Sequence, residues 1–173
     1  LGELVSFSNK RFNATATRKD IHDWSFFPPE LHYEFRHSGG YRRSRLLPGA
    51  KDFLSWLRSI VQVSIVTIRA EEYKPDTFEW LEENIPGLYE PENVHFTGGS
   101  KLDTYRRLGV ALLIDDSVRH TKEVAENFGI YAILYNNGTP MFKNAENHPR
   151  IYKAENLDEV RRYVVEIKSL LYR

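Results

Sequence analysis

Cysteine is absent from the 173 residues, which excludes disulfides, thiolate metal sites and cysteine nucleophiles. No hydrophobic run approaches the roughly 18 residues of a membrane span. A charge surplus is missing too: 24 Lys and Arg are balanced by 24 Asp and Glu, so the net charge gives no reason to expect a nucleic-acid polymer or a membrane surface as partner. The opening residues, LGELVSFSNKRFN, are too polar for a secretory signal. Internal repeats and low-complexity tracts are lacking. These absences lead to the expectation of one soluble, cytoplasmic domain.

What is present is a chain of ordinary globular composition, 41% hydrophobic and 28% charged. Its first dozen residues carry Leu4, Val5, Phe7 and Phe12 at helical spacing. The chain enters this helix at Leu1, without a methionine and with no strand before it, and we expect further residues upstream. Thr15 or Thr17 is placed to cap a short helix around Asp20. Trp24, Phe26 and Phe27 then precede Pro28-Pro29, where Pro29 can open a helix that runs to about His37 and ends at Gly39-Gly40. Residues 13–46 therefore read as a small helical cap, inserted into a core made of residues 1–12 and 47–173. The three aromatics either pack the cap's own small core or line a pocket beneath it.

From residue 50 the pattern alternates. Ala50, Phe53, Leu54, Leu57 and Ile60 predict a helix, and residues 61–67 a β-branched strand ending in Thr67. A helix over 75–84, a strand over 94–97 and a helix over 101–108 come next. Val110 to Ile114 is a continuous apolar run, as in a strand covered on both faces. Then come a helix over 118–128, a strand over 130–135, an irregular stretch over 141–150, a short extended piece at 151–154 and a terminal helix. This order predicts an α/β fold: a doubly wound parallel sheet, Rossmann-type and three-layered. In such sheets ligands bind beyond the carboxyl ends of the strands.

Thr67, Lys101 and the Asp115-Asp116 pair fall on or near that one edge. Adjacent carboxylates repel each other and are costly to bury alone, and a hard divalent cation such as Mg²⁺ relieves both problems. A Thr hydroxyl, the neighbouring amides of Ile68 and Arg69, and a Lys ammonium suit the anionic oxygens of a phosphoryl group. Arg69 is placed either to grip that group or to shield it. A second reading makes Asp115-Asp116-Ser117 a turn and helix N-cap. Arg36, Arg42, Arg43 and Arg45 either face the pocket from the cap or, the favoured reading, form a solvated face, and the six histidines show no metal-ligand spacing.

The order SIVT with Thr67, then Lys101, then LLIDDS with Asp115 and Asp116 resembles the haloacid dehalogenase superfamily of phosphatases. The opening segment is similar to the stretch just after the first motif in that superfamily's deoxyribonucleotidase-like branch. The resemblance implies a HAD-like core, a Mg²⁺-dependent phosphomonoester hydrolase and possible nucleotidase activity. It implies an aspartyl-phosphate on an Asp-x-Asp motif upstream of Leu1, phosphoryl contacts from Thr67 and Lys101, and Mg²⁺ held by Asp115 and Asp116. Trp24, Phe26 and Phe27 would stack on the leaving group. The alternative is the same fold as a non-catalytic phosphate- or protein-binding module. A response-regulator receiver has similar residues, but its acidic pair precedes the Thr and Lys, and here it comes after them.

Overall fold

Two short parallel ladders share one set of helices in this protein. The structure, a computed structural model, describes residues 2–22, 26–136 and 138–172. Its helices are α1 (Gly2–Phe12), α2 (Pro29–His37), α3 (Ala50–Ile60), α4 (Lys74–Asn84), α5 (Leu102–Leu108), α6 (Val118–Phe128), α7 (Pro140–Asn144) and α8 (Leu157–Leu171). Its strands are β1 (Ile65–Thr67), β2 (Val94–Phe96), β3 (Leu112–Asp115), β4 (Tyr131–Tyr135) and β5 (Ile151–Ala154). β1 pairs with β2, and β4 lies between β3 and β5; every pairing is parallel. The fold is thus mixed α/β.

The helices form where apolar residues recur on one face and end where glycine can take a left-handed turn. Gly109 and Gly129 close α5 and α6 with φ of 61° and 63°, conformations that side chains with a Cβ resist. α3 and α8 cover one face of the longer ladder: Phe53 and Leu57 join Val160, Val164 and Ile167 against Ile133 and Ala154. α5 and α6 cover the other, where Tyr105 and Val124 pack on Leu113 and Ala132. α4 brings Leu81 onto Val94 of β2.

β1 and β3 form no ladder with each other, yet they share the surrounding layers. Val66 of β1 packs into the cluster that holds Leu113 of β3, and Leu54 of α3 touches the clusters beneath both ladders. Among the described residues, each therefore has a strand neighbour on one edge only. Burial reflects this: Ala132, Ile133 and Leu134 of β4 are at most 1% exposed, whereas Leu112 and Ile114 of β3 are only half-buried. The apolar run at 110–114 is thus less covered than its composition predicts.

Other differences are local. The strand predicted over 61–67 pairs only from Ile65, because β2 offers three residues to pair with. The helix expected after Thr17 is a single 3-10 turn, Arg18–Asp20, closed by a capping box between Thr17 and Asp20. The stretch read as irregular contains α7, with Thr139 at its N-cap and Pro140 at its first position, where a missing N–H costs nothing.

Candidate phosphate and metal site

β1 and β3 end at one cavity of about 1190 Å³, and residues of α1, α2, α6 and α7 supply much of its wall. Thr67 closes β1, with Ile68 and Arg69 next in the chain. Lys101 stands at the N-cap position of α5. Asp115 closes β3, Asp116 is the next residue, and Ser117 caps α6 by accepting the His120 N–H on its hydroxyl. Thr67, Ile68, Arg69, Lys101, Asp115 and Asp116 all line the cavity.

The centre is a buried ion pair. Lys101 Nζ donates to Asp115 Oδ2 at 2.8 Å, with the two side chains 12% and 9% exposed. Asp115 Oδ1 accepts the Ser117 N–H, also at 2.8 Å. His120, 8% exposed, brings Nδ1 to 3.4 Å from Asp115 Oδ2, and its Nε2 lies 3.2 Å from an Arg119 nitrogen. Burial pushes the Asp115 carboxyl upward, but the His120 imidazole and the Lys101 ammonium outweigh it and hold the acid below the ordinary carboxylate range. Asp116, one residue on, is exposed.

Thr67 offers a hydroxyl to the same space. Its Oγ1 accepts the Arg69 N–H at 3.3 Å, and its carbonyl takes the Thr97 N–H at 2.9 Å. No acceptor for the Thr67 hydroxyl proton is found among the described residues. Lys101 likewise uses one of its three N–H donors on Asp115. The mouth thus presents spare donors beside two carboxylates.

Asp115 and Asp116 are the candidate ligands for a hard cation, and among the described residues no group of three or more His, Asp or Glu is gathered to hold one. An ionised carboxylate has about four acceptor positions, and Asp115 spends one on Ser117 and one on Lys101. Asp115 and Asp116 together with water and a substrate oxygen would match the sparse protein coordination that Mg²⁺ prefers.

Not every residue singled out by sequence gathers here. Phe27 is 2% exposed in a core with Leu4, Val5, Ile21, Leu31 and Phe35, and Phe26 stands 41% exposed with its ring edge-on to Phe27 at 5.1 Å. Neither lines the cavity. Trp24 lies outside the described residues. Among the further side chains that reach the cavity are His120 and Arg36. His120 does so because Ser117 starts α6 and turns its first buried residue back over Asp115. Arg36 leaves the solvated face expected for it and lines the cavity beside Tyr41, whereas Arg42 pairs with Glu79 and Glu83 in the open. Four-residue helical spacing puts Arg36 beside His32, whose carbonyl accepts its Nε at 2.9 Å.

No protein-family model matches the chain, and no curated protein matches it in sequence.

Proposed function

We propose that the protein is a Mg²⁺-dependent phosphomonoester hydrolase of the haloacid dehalogenase type, acting on a small phosphorylated metabolite. One observation carries this reading: a threonine hydroxyl, a lysine ammonium and two adjacent carboxylates converge on one cavity at the strands' carboxyl edge. Thr67 and the amides after it bind the phosphoryl oxygens. Lys101 neutralises their charge while its bond to Asp115 holds the ammonium in position. Asp115 and Asp116 would hold the metal, which would supply Lewis-acid polarisation of the phosphoryl group. His120, with Nδ1 3.4 Å from Asp115 Oδ2, would help hold that carboxylate in place.

The free edges of β1 and β3 support the doubly wound form of the sheet. They offer unpaired N–H and C=O groups to one more parallel strand. By the resemblance, the nucleophilic aspartate would end such a strand, next to Thr67 and Asp115.

The test is Mg²⁺-dependent phosphate release from a panel of nucleotides, sugar phosphates and small phosphorylated acids. Release that needs Mg²⁺ and disappears in an Asp115→Asn, Asp116→Asn double variant supports the reading. Full activity in that variant rejects it. Binding of phosphate without turnover would recast the protein as a phosphate-binding module.

A further inference from the structure

The cavity is lined by cations on both sides: Lys101, Arg119 and Lys122 on one, Arg36 and Arg69 on the other. On the wall formed by α2 and the segment after it, Arg36 and Arg69 both line the space, with His22 and His32 beside them. Glu3 lines the cavity on this side and lies 3.5 Å from Arg45, and the charge of Asp76 also reaches Arg69 without an ion pair between them. Neither Arg36 nor Arg69 forms an ion pair with a carboxylate among the described residues, although Arg11, Arg42 and Arg58 each do.

Arg69 is held by weaker partners. Its Nη1 donates to Thr77 Oγ1 at 2.9 Å, and its guanidinium carbon sits 4.0 Å above the centre of the Tyr41 ring. Tyr41 in turn meets Tyr73 and Phe35 edge-on, at 5.3 and 6.1 Å. Arg36 spends its Nε on the His32 carbonyl and leaves its terminal nitrogens for the cavity. Burial, the larger cause, and the charge of Arg36 keep His32 easier to deprotonate than usual. Burial also weakens the hold of Arg69 on its proton. Both shifts reflect withdrawal from water, and only that of His32 also carries the charge of a neighbouring arginine. Arg36 and Arg69 are half-buried, and a partly desolvated cation gains from an anion that meets it.

We propose that the wall built on Arg36 and Arg69 is a subsite for a second anionic group of the ligand, separate from the phosphoryl group at Thr67 and Lys101. The inference rests on the phosphohydrolase reading for the identity of the first group, and it narrows the substrate class to phosphomonoesters that carry a carboxylate or a second phosphate. The guanidinium forks suit either anion in bidentate fashion. Arg69, two residues beyond Thr67, would stand between the two groups.

Calorimetry on the full chain with Mg²⁺ tests this, using phosphoglycolate, ethylene glycol bisphosphate and ethyl phosphate as ligands. At least one of the first two should bind about tenfold or more tightly than ethyl phosphate, the size of one charge-assisted contact. Which of them does so identifies the second anion. Arg36→Gln should bring the ratio close to one, and Arg36→Lys should keep part of it. A ratio near one in the native protein, a ratio untouched by Arg36→Gln, or no binding of any ligand would overturn the subsite. The two readings separate cleanly. An intact ratio with no hydrolysis of any ester keeps the subsite and removes the hydrolase; hydrolysis with a ratio of one does the reverse.

Discussion

The ammonium of Lys101 and the carboxylate of Asp115 meet at 2.8 Å with both side chains nearly withdrawn from water. Fourteen residues and the whole of α5 separate them in the chain. The pair ties the start of α5 to the end of β3 and fixes the cavity's charge.

Breaking such a pair from one side leaves a buried charge alone. Lys101→Met should therefore destabilise the fold by about 3 kcal/mol or more. Asp115→Leu should do likewise, while the double variant should cost clearly less than the two single changes added together. Urea unfolding of all four proteins checks this. Additive single effects would mean that the two charges do not depend on each other.

Acid should act through the same carboxylate. The folded-state acid is stronger than the unfolded one, so its stabilisation is complete above the unfolded pKa of about 4. It is lost as the pH falls through the lower folded value. Unfolding free energy measured against pH should fall in that acid window, and Asp115→Asn should make the fall shallower. An identical acid limb in the variant would contradict the assignment.

Tyr105 offers a test of packing. Its ring is 2% exposed in the cluster between α5, α6 and β3, and its hydroxyl finds no hydrogen-bond partner among the described residues. Burial, the largest cause, with the charges of Asp115 and Glu123, drives its proton affinity up. Tyr105→Phe removes an unsatisfied polar group and should stabilise the protein by about 1 kcal/mol, seen as a higher melting temperature. A loss of similar size would show that the hydroxyl has a partner.

The unpaired strand edges should be visible in hydrogen exchange. Amides of Ala132, Ile133 and Leu134, flanked by a ladder on each side, should exchange at the rate of global unfolding. In β1 and β3 alternate amides point away from the only ladder partner, so some amides in Ile65–Thr67 and Leu112–Asp115 should exchange far faster. Uniform protection across β3 and β4 would mean that the β3 edge is paired.

Much of this arrangement was legible in the residues themselves. The apolar spacing of 50–60 and the stop signals after 108 and 128 come from local chemistry, and the structure carries α3, α5 and α6 there. Thr67 and Asp115 could be assigned to one edge because a parallel sheet puts every strand's carboxyl end on the same side. The features that could not be read depend on partners distant in sequence. β1 is cut to three residues by the length of β2. The role of His120 depends on where Ser117 starts its helix, and that of Arg36 on a cavity its own segment does not define. Phe27 looks the same in sequence whether it stacks on a ligand or, as here, fills a core with Leu31 and Phe35.

The central claim is that the ends of β1 and β3 serve one phosphate and one metal. Amide resonances tracked by NMR during addition of inorganic phosphate with Mg²⁺ address it most directly. Ile68 and Arg69, beyond one ladder, and Asp116 and Ser117, beyond the other, should shift together along one saturation curve. Shifts confined to one ladder's end, or none at any of the four, would contradict the account.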